Sequence, residues 1–307
     1  MTEDIDARVR ARAFQFLDEL AHRYGDALPR TRLVEGIEFE GRRVPLMGPQ
    51  GIFKPAVLPN MPLSVTTAPI VEGRPRPYDD QVTSEGLIAY RYRGDDPNHH
   101  ENVGLRLAMQ SRTPIIYFEG VARGLYFASR PTFVVGDDPG RLTFALAIDD
   151  PVVGAIDQPV VAENALAARR AYITRAVRQR MHQVGFRERV LKAYTQSCAV
   201  CRLRHRELLD AAHIVPDSHP MGEPWVSNGL ALCKIHHAAF DANILGVTPR
   251  LVVEVRQDIL REIDGPMLRH GIQELHGKPL VAIPRNTQDR PKEGLLAIRY
   301  EEFRRAG

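Results

Sequence analysis

The spacing of apolar positions changes along the chain, and each change predicts a different kind of element. Over residues 4–24, Ile5, Val9, Phe16, Leu17, Leu20 and Tyr24 recur at helical spacing, and Gly25 and Pro29 stop the run, which predicts one amphipathic helix. From about Leu33 to Asp149, short apolar runs alternate with Gly and Pro clusters. The runs at 63–67, 87–90, 115–118, 133–135 and 142–148 read as strands, and residues 102–110 as a helix among them. Residues 160–196 return to a helical pattern rich in Ala, Arg and Gln, with an interruption expected at Gly185. A compact module follows over about 194–248, and the tail from Leu251 shows strand patterns at 251–255 and 280–283. The expectation is an α+β protein with a mostly β domain over 1–158, built as a curved sheet or barrel. A helical connector over 159–193 and a second domain over 194–307 complete it.

Composition adds limits. A length of 307 residues predicts two domains, and a 44% hydrophobic fraction suffices for real cores. No stretch approaches the roughly 18 apolar residues of a membrane span. The first residues, Met-Thr-Glu-Asp-Ile-Asp, lack the order of a signal peptide, so a cytoplasmic location is expected. Three cysteines do not make a disulfide framework, whereas a reducing compartment suits metal thiolates.

The net charge is only +3, but it is unevenly spread. Between Ala165 and Arg206 stand eleven Lys or Arg residues and one acid, Glu188. A field of that kind attracts polyanions. Arg175, Arg178, Arg180, Arg187 and Arg189 are therefore candidate contacts to nucleic-acid phosphates. The alternative is a solvated helix face.

The chemistry concentrates beyond this stretch. All three cysteines fall in Cys198-Ala-Val-Cys201 and Cys233-Lys-Ile-His236. A two-residue gap lets one tight turn present two donors to one ion, so Cys198, Cys201, Cys233 and His236 are expected to hold a structural Zn²⁺. Between and after them come His213 in His-Ile-Val-Pro, Asn228 fifteen residues on, His237 and Asp241. His237 and Asp241 are i and i+4, so on a helix they share a face and can bind one cation. His213 suits a general base for water, and the Asn228 carboxamide suits a brace for its loop. His205, His219, His182, His99 and His100 show no partner pattern.

Those zinc pairs, the His-Ile-x-Pro segment and the later Asn and His together resemble HNH endonucleases of the ββα-metal class over about fifty residues. The resemblance implies His213 as base, Asn228 as positioning residue, and His237 and Asp241 as ligands of a catalytic Mg²⁺ or Mn²⁺. His236 and His237 could exchange places. Many members carry an Asp or His metal ligand just before the base; here that position is Ala212, and the nearest carboxylate is Asp210.

In the first domain, Arg76-Pro-Tyr78-Asp-Asp80 is followed by Tyr90-Arg-Tyr92-Arg-Gly94, then Asn102-Val-Gly-Leu-Arg-Leu, Thr113-Pro-Ile-Ile-Tyr-Phe-Glu-Gly120 and Gly124-Leu-Tyr126. This order is similar to an SRA domain, a PUA-like barrel that flips a modified cytosine out of duplex DNA. It lacks the Asp-x-Gly and Gly-Ser-Gly-Gly elements of the eukaryotic members. The resemblance implies Asp80 on the Watson–Crick edge of the base, with Tyr78 and Tyr90 or Tyr92 on its faces; the competing reading makes Asp79-Asp80 a turn and the tyrosines strand core. Arg91, Arg93 and Arg106 are further candidates for phosphate or for the gap the base leaves.

The combined expectation is a modification-dependent DNA endonuclease. It would read 5-methylcytosine or 5-hydroxymethylcytosine in double-stranded DNA, cut with one divalent cation, and pair as a homodimer for double-strand cutting. A catalytically silent reader of modified DNA, or an HNH nuclease reading unmodified sequence, are the alternatives.

Overall fold

The computed structural model describes residues 2–68, 87–149, 163–216 and 219–306. The chain divides into two compact units, Met1–Gly185 and Phe186–Gly307. No helix among the described residues is long and apolar enough to cross a membrane.

The first unit runs α1 (Thr2–Tyr24), β1 (Leu28–Pro29), α2 (Arg30–Glu35), β2 (Ile37–Phe39), β3 (Arg42–Val44), β4 (Ile52–Phe53), β5 (Ser64–Thr67) and β6 (Ile88–Arg91). It continues through α3 (His100–Gln110), β7 (Ile115–Ala122), β8 (Leu125–Asp138), β9 (Thr143–Ile148) and the first part of α4 (Glu163–Ala193). The main sheet has the order β4-β5-β7-β8-β9-β6, with β1 added on β8. β5 and β7 are parallel. The expected closed barrel is not what the described residues form. Their sheet is an open path whose edges are the two-residue β4 and the four-residue β6, and no pairing joins those edges.

Strand β7 shows why the sheet is covered on both faces. All eight of its residues are buried, and its alternation divides them between two cores. Ile116 and Phe118 pack with Val9, Ala13 and Leu17 of α1; Ile115, Tyr117 and Val121 pack with Leu105 of α3 and Ile173, Val177 and Met181 of α4. Both helices supply apolar residues four apart, which form one stripe. A buried Asp6–Arg10 pair steadies α1, and the same guanidinium donates to Pro62 O and Pro114 O, each at 2.9 Å. Asn102, fully buried, accepts from Arg93 N and donates to Arg93 O and Asp96 O, so its carboxamide pins the chain between β6 and α3.

The second unit begins in α4 and adds β10 (Leu209–His213), β11 (Gly229–Cys233), α5 (Lys234–Asp241), β12 (Leu245–Val247), β13 (Val253–Val255), α6 (Gln257–Arg261), α7 (Pro266–Gly271) and α8 (Glu293–Arg305). β10 and β11 pair antiparallel, Leu209 opposite Cys233 and His213 opposite Gly229. With α5 they make a ββα unit. The tail is its scaffold. Arg299 of α8 donates to Phe240 O and Asn243 Oδ1, each at 2.5 Å, and lies over the Phe240 ring. A cation there satisfies carbonyls at the C-terminal end of α5 and complements its dipole.

Two local expectations need correction. α4 continues through Gly185; a single helical glycine costs about 1 kcal/mol, and Met181, Phe186 and Val190 are anchored in cores on either side of it. Residues 280–283 are not a strand. Flanked by Pro279 and Pro284, they make separate bonds instead, Leu280 N to Leu251 O and Val281 N to Ala199 O.

Candidate active site

Cys198 and Cys201 sit in a knuckle closed by the bond from Arg202 N to Cys198 O, with Arg202 at φ 63°. Ala199 N donates to Ala231 O, which ties the knuckle to β11. Cys233 is the N-cap of α5, and His236 lies in its first turn. The donor atoms of Cys198, Cys201, Cys233 and His236 lie within 4.8 Å of one another. A zinc ion with Zn–S of about 2.3 Å needs its donors roughly 3.7 Å apart, so the group fits. His236 Nδ1 stands 3.4 Å from Cys198 Sγ and 3.2 Å from Cys233 Sγ, while Nε2 lies 2.8 Å from Gly271 O. The carbonyl fixes the tautomer and leaves Nδ1 as the ligand atom. Burial acts to lower the His236 pKa, but hydrogen bonds with Cys198 and Cys233 outweigh it and carry the group to about 10. Bonds from Cys198 and then Cys201 hold the Cys233 thiol well below its usual range. A cation binding to such a cluster displaces its protons into solvent, so binding strengthens as pH rises.

One residue further along α5 the donors change character. His237 Nδ1 is 3.5 Å from Asp210 Oδ2 and its Nε2 is 3.3 Å from Asp241 Oδ2. Asp210 of β10 thus reaches the pair that helical spacing alone set together. Arg187 stands on the other side of Asp210, Nε to Oδ1 at 3.5 Å, and it donates to Leu209 O and Arg206 O as well. Hydrogen bonding to Asp210 raises the His237 pKa against the effect of burial, and the Asp241 charge adds to the rise. Burial would raise the Asp210 carboxyl, but bonds from His237 and from Ala211 N prevail and hold it below the usual range. Carboxylates and an imidazole are donor types that suit a hard divalent cation, but as the side chains lie the two carboxylates stand at opposite nitrogens of the ring, and among the described residues the Cys₃His group alone brings three or more donors together.

His213 lies three positions beyond Asp210, at the end of β10. Its ring is stacked on Phe186, centroids 3.9 Å apart and planes 10° from parallel. Asn228, 1% exposed, grips the residues just after it. Its Oδ1 accepts from Val215 N, its Nδ2 donates to Val215 O and Glu223 O, and Ile214 N donates to its backbone carbonyl. The carboxamide therefore braces the strand end through the backbone.

Residues 198–248 match the profile of the HNH endonuclease family. The second unit carries an HNH domain. No curated protein matches the chain. Among solved structures it is similar to a modification-dependent TagI restriction endonuclease, at 15% identity over 79% of this chain and 82% of that one, with a TM-score of 0.29. It is also similar to the type IV phosphorothioation-dependent restriction endonuclease ScoMcrA, at 15% identity over 62% of this chain and 54% of that one, with a TM-score of 0.23.

Around the HNH domain, several residues of the basic run are bound to protein. Glu188, 3% exposed, accepts from both Arg187 and Arg206, which accounts for the single acid among so many cations. Arg189 donates to Pro224 O. In the first unit, Arg180 holds Asp26 through two bonds of 3.0 and 3.1 Å, so a phosphate must displace a carboxylate to reach it. Arg175 is exposed, and Arg178 buries Nη1 with no hydrogen-bond partner among the described residues.

Tyr78 and Asp80 lie outside the described residues. Tyr90 and Tyr92 share one face of β6 and its extension, both buried. They line a pocket together with Gly51, Thr66, Thr67 and Arg93. The Tyr90 hydroxyl donates to Thr66 O at 3.3 Å. Tyr92 stacks on Phe144 and bonds to Asp137, which also holds Arg106 Nε at 2.6 Å. Burial and then Asp137 raise the Tyr92 phenol, with Arg106 opposing. Sequence reasoning left Phe186, Glu188 and Asp137 without a role; only the isolation of Glu188 among cations signalled one.

Proposed function

We propose that the protein is a modification-dependent DNA endonuclease. The HNH domain hydrolyses a phosphodiester of double-stranded DNA, and the first unit reads 5-methylcytosine or 5-hydroxymethylcytosine flipped into the pocket walled by Tyr90 and Tyr92. The meeting of Asp210, His237 and Asp241, on the ββα unit that also bears the Cys₃His group, carries the hydrolytic half of this reading. The order of motifs around Tyr78, Asp80, Tyr90 and Asn102, together with the aromatic pocket, supports the reading half, because a flipped base needs ring faces for stacking and a carboxylate for its amino group.

In this assignment Cys198, Cys201, Cys233 and His236 hold a structural Zn²⁺. His237 would hold Mg²⁺ or Mn²⁺ through one ring nitrogen together with the carboxylate beside it, Asp210 or Asp241, and the bound ion would neutralise charge on the phosphate and on the leaving oxygen. His213 takes a proton from the attacking water as the water oxygen bonds to phosphorus and the bond to the leaving oxygen breaks. Asn228 keeps the His213 backbone in place, and Arg187 holds the Asp210 carboxylate toward His237.

A digestion panel tests both halves. Plasmids carrying unmodified, 5-methylated, 5-hydroxymethylated or N6-methyladenine DNA are incubated with Mg²⁺ or Mn²⁺, with EDTA as control. Cleavage confined to the cytosine-modified plasmids is expected. His213→Ala should lose about 10²–10⁴-fold in rate while keeping its DNA affinity. Equal cutting of every plasmid would remove the modified-base reader, and undiminished cutting by His213→Ala would remove the base.

A further inference from the structure

We infer that Phe186 is a positioning residue for His213, and that Gly229 is glycine so that Phe186 can reach it; the inference rests on the reading of His213 as the base. A base that takes a proton from water must aim one ring nitrogen along one direction. The Asn228 clamp on Ile214 and Val215 fixes the backbone and leaves two side-chain torsions free. The Phe186 ring, 2% exposed and 3.9 Å from the imidazole at 10°, removes that freedom. A stack holds the plane of the ring through its face and makes no demand on its nitrogens.

The rest of the neighbourhood is built to keep Phe186 there. Phe186 and Val190 of α4 and Tyr194 just past its end are successive i+4 positions in the core of this unit, with Tyr194 N still bonded to Val190 O. The Tyr194 hydroxyl donates to Gly229 O at 3.1 Å. Gly229 is the residue opposite His213 in the hairpin. A Cβ on it would lie 2.5 Å from Val190 Cγ2 and 2.9 Å from Phe186 Cζ. Any side chain at 229 therefore crowds both Val190 and the phenyl ring that lies under the imidazole.

The test uses the full-length protein, a 5-methylcytosine-bearing plasmid and Mn²⁺. Phe186→Leu keeps an apolar side chain and loses the flat face. It should lower kcat by about 10-fold or more, as misplaced catalytic groups do, with KM, DNA affinity and zinc content unchanged. Gly229→Ala, which leaves residue 186 intact, should act in the same direction. Independently of cleavage, the carbon-bound ring protons of His213 should resonate upfield in the wild type by NMR and move downfield in both variants. Should His213→Ala be inactive while Phe186→Leu and Gly229→Ala cut at the wild-type kcat, the positioning role is wrong and the base reading stands. Unmoved His213 resonances would overturn it as well. His213→Ala cutting at the wild-type rate would overturn the base reading, and this inference with it.

Discussion

His236 and His237 are neighbours in the chain, about 100° apart around α5, and they belong to two unlike donor sets. His236 is 3% exposed, faces two sulfurs and has its second nitrogen on a backbone carbonyl. His237 is half-buried, and both its nitrogens face carboxylates that are themselves open to solvent. Soft, enclosed donors suit an ion that stays with the fold; hard, accessible donors suit one that must also meet a substrate. In the proposed assignment one helical step separates a fold-maintaining centre from a reactive one, and each variant below should disturb one and spare the other.

The largest effect is expected from Cys233→Ser. Zinc binding is folding free energy, on the scale of the about 5–15 kcal/mol that holds a domain. The variant should lose about one zinc per chain by elemental analysis and become protease-sensitive. A folded, active, zinc-free Cys233→Ser protein would erase the contrast between the two histidines.

A smaller and different loss is expected from Asp210→Asn and His237→Ala. Both should keep the zinc and raise the divalent-cation concentration needed for half-maximal cleavage, by about 10–100-fold on the scale of altered metal sites. A drop in zinc content instead would mean that the two groups are one coupled centre.

The smallest effect sharpens the contrast through pH. His237 is raised by Asp210 and Asp241, so in the folded protein it keeps its proton to higher pH than a free histidine. A proton on His237 excludes a cation, and that competition fades as pH rises through the raised value. Asp210, held below the usual range, is already ionised there. The cation requirement should therefore go on falling as pH rises above about 6.5, the unperturbed histidine value. Titrating cleavage against Mg²⁺ at several pH values checks this, and the dependence should weaken in Asp210→Asn.

Legibility followed the range of the interaction. The clustering of the Cys₃His group and of the His237–Asp241 pair was legible because short spacings on a turn and on a helix fix geometry locally. Asp210 was visible only as the nearest carboxylate, since its place depends on how β10 lies against α5. The Phe186 stack could not be read, because α4 and β10 meet only through the tertiary fold. Arg187 illustrates a harder case. Its charge suggested a phosphate contact, yet its guanidinium is bound to Glu188, Asp210 and two carbonyls, and charge alone does not distinguish an internal partner from an external one. The apolar run of β7 was legible as a strand but not as the divider between two cores, because a strand covered on both faces has a nearly continuous apolar sequence.

The β10–β11 hairpin acts as a ruler. Its five pairs run from Leu209 opposite Cys233 to His213 opposite Gly229, about 14 Å at strand rise. Sequence drift can exchange residues along it, but insertions and deletions are another matter. A one-residue slip sends every side chain of β10 to the other face, taking Asp210 from His237 and His213 from Phe186 at once. A two-residue change keeps the faces and alters the span. Length variation among descendants of this chain should therefore collect in the loop between Pro216 and Trp225, with β10 and β11 held at five residues each.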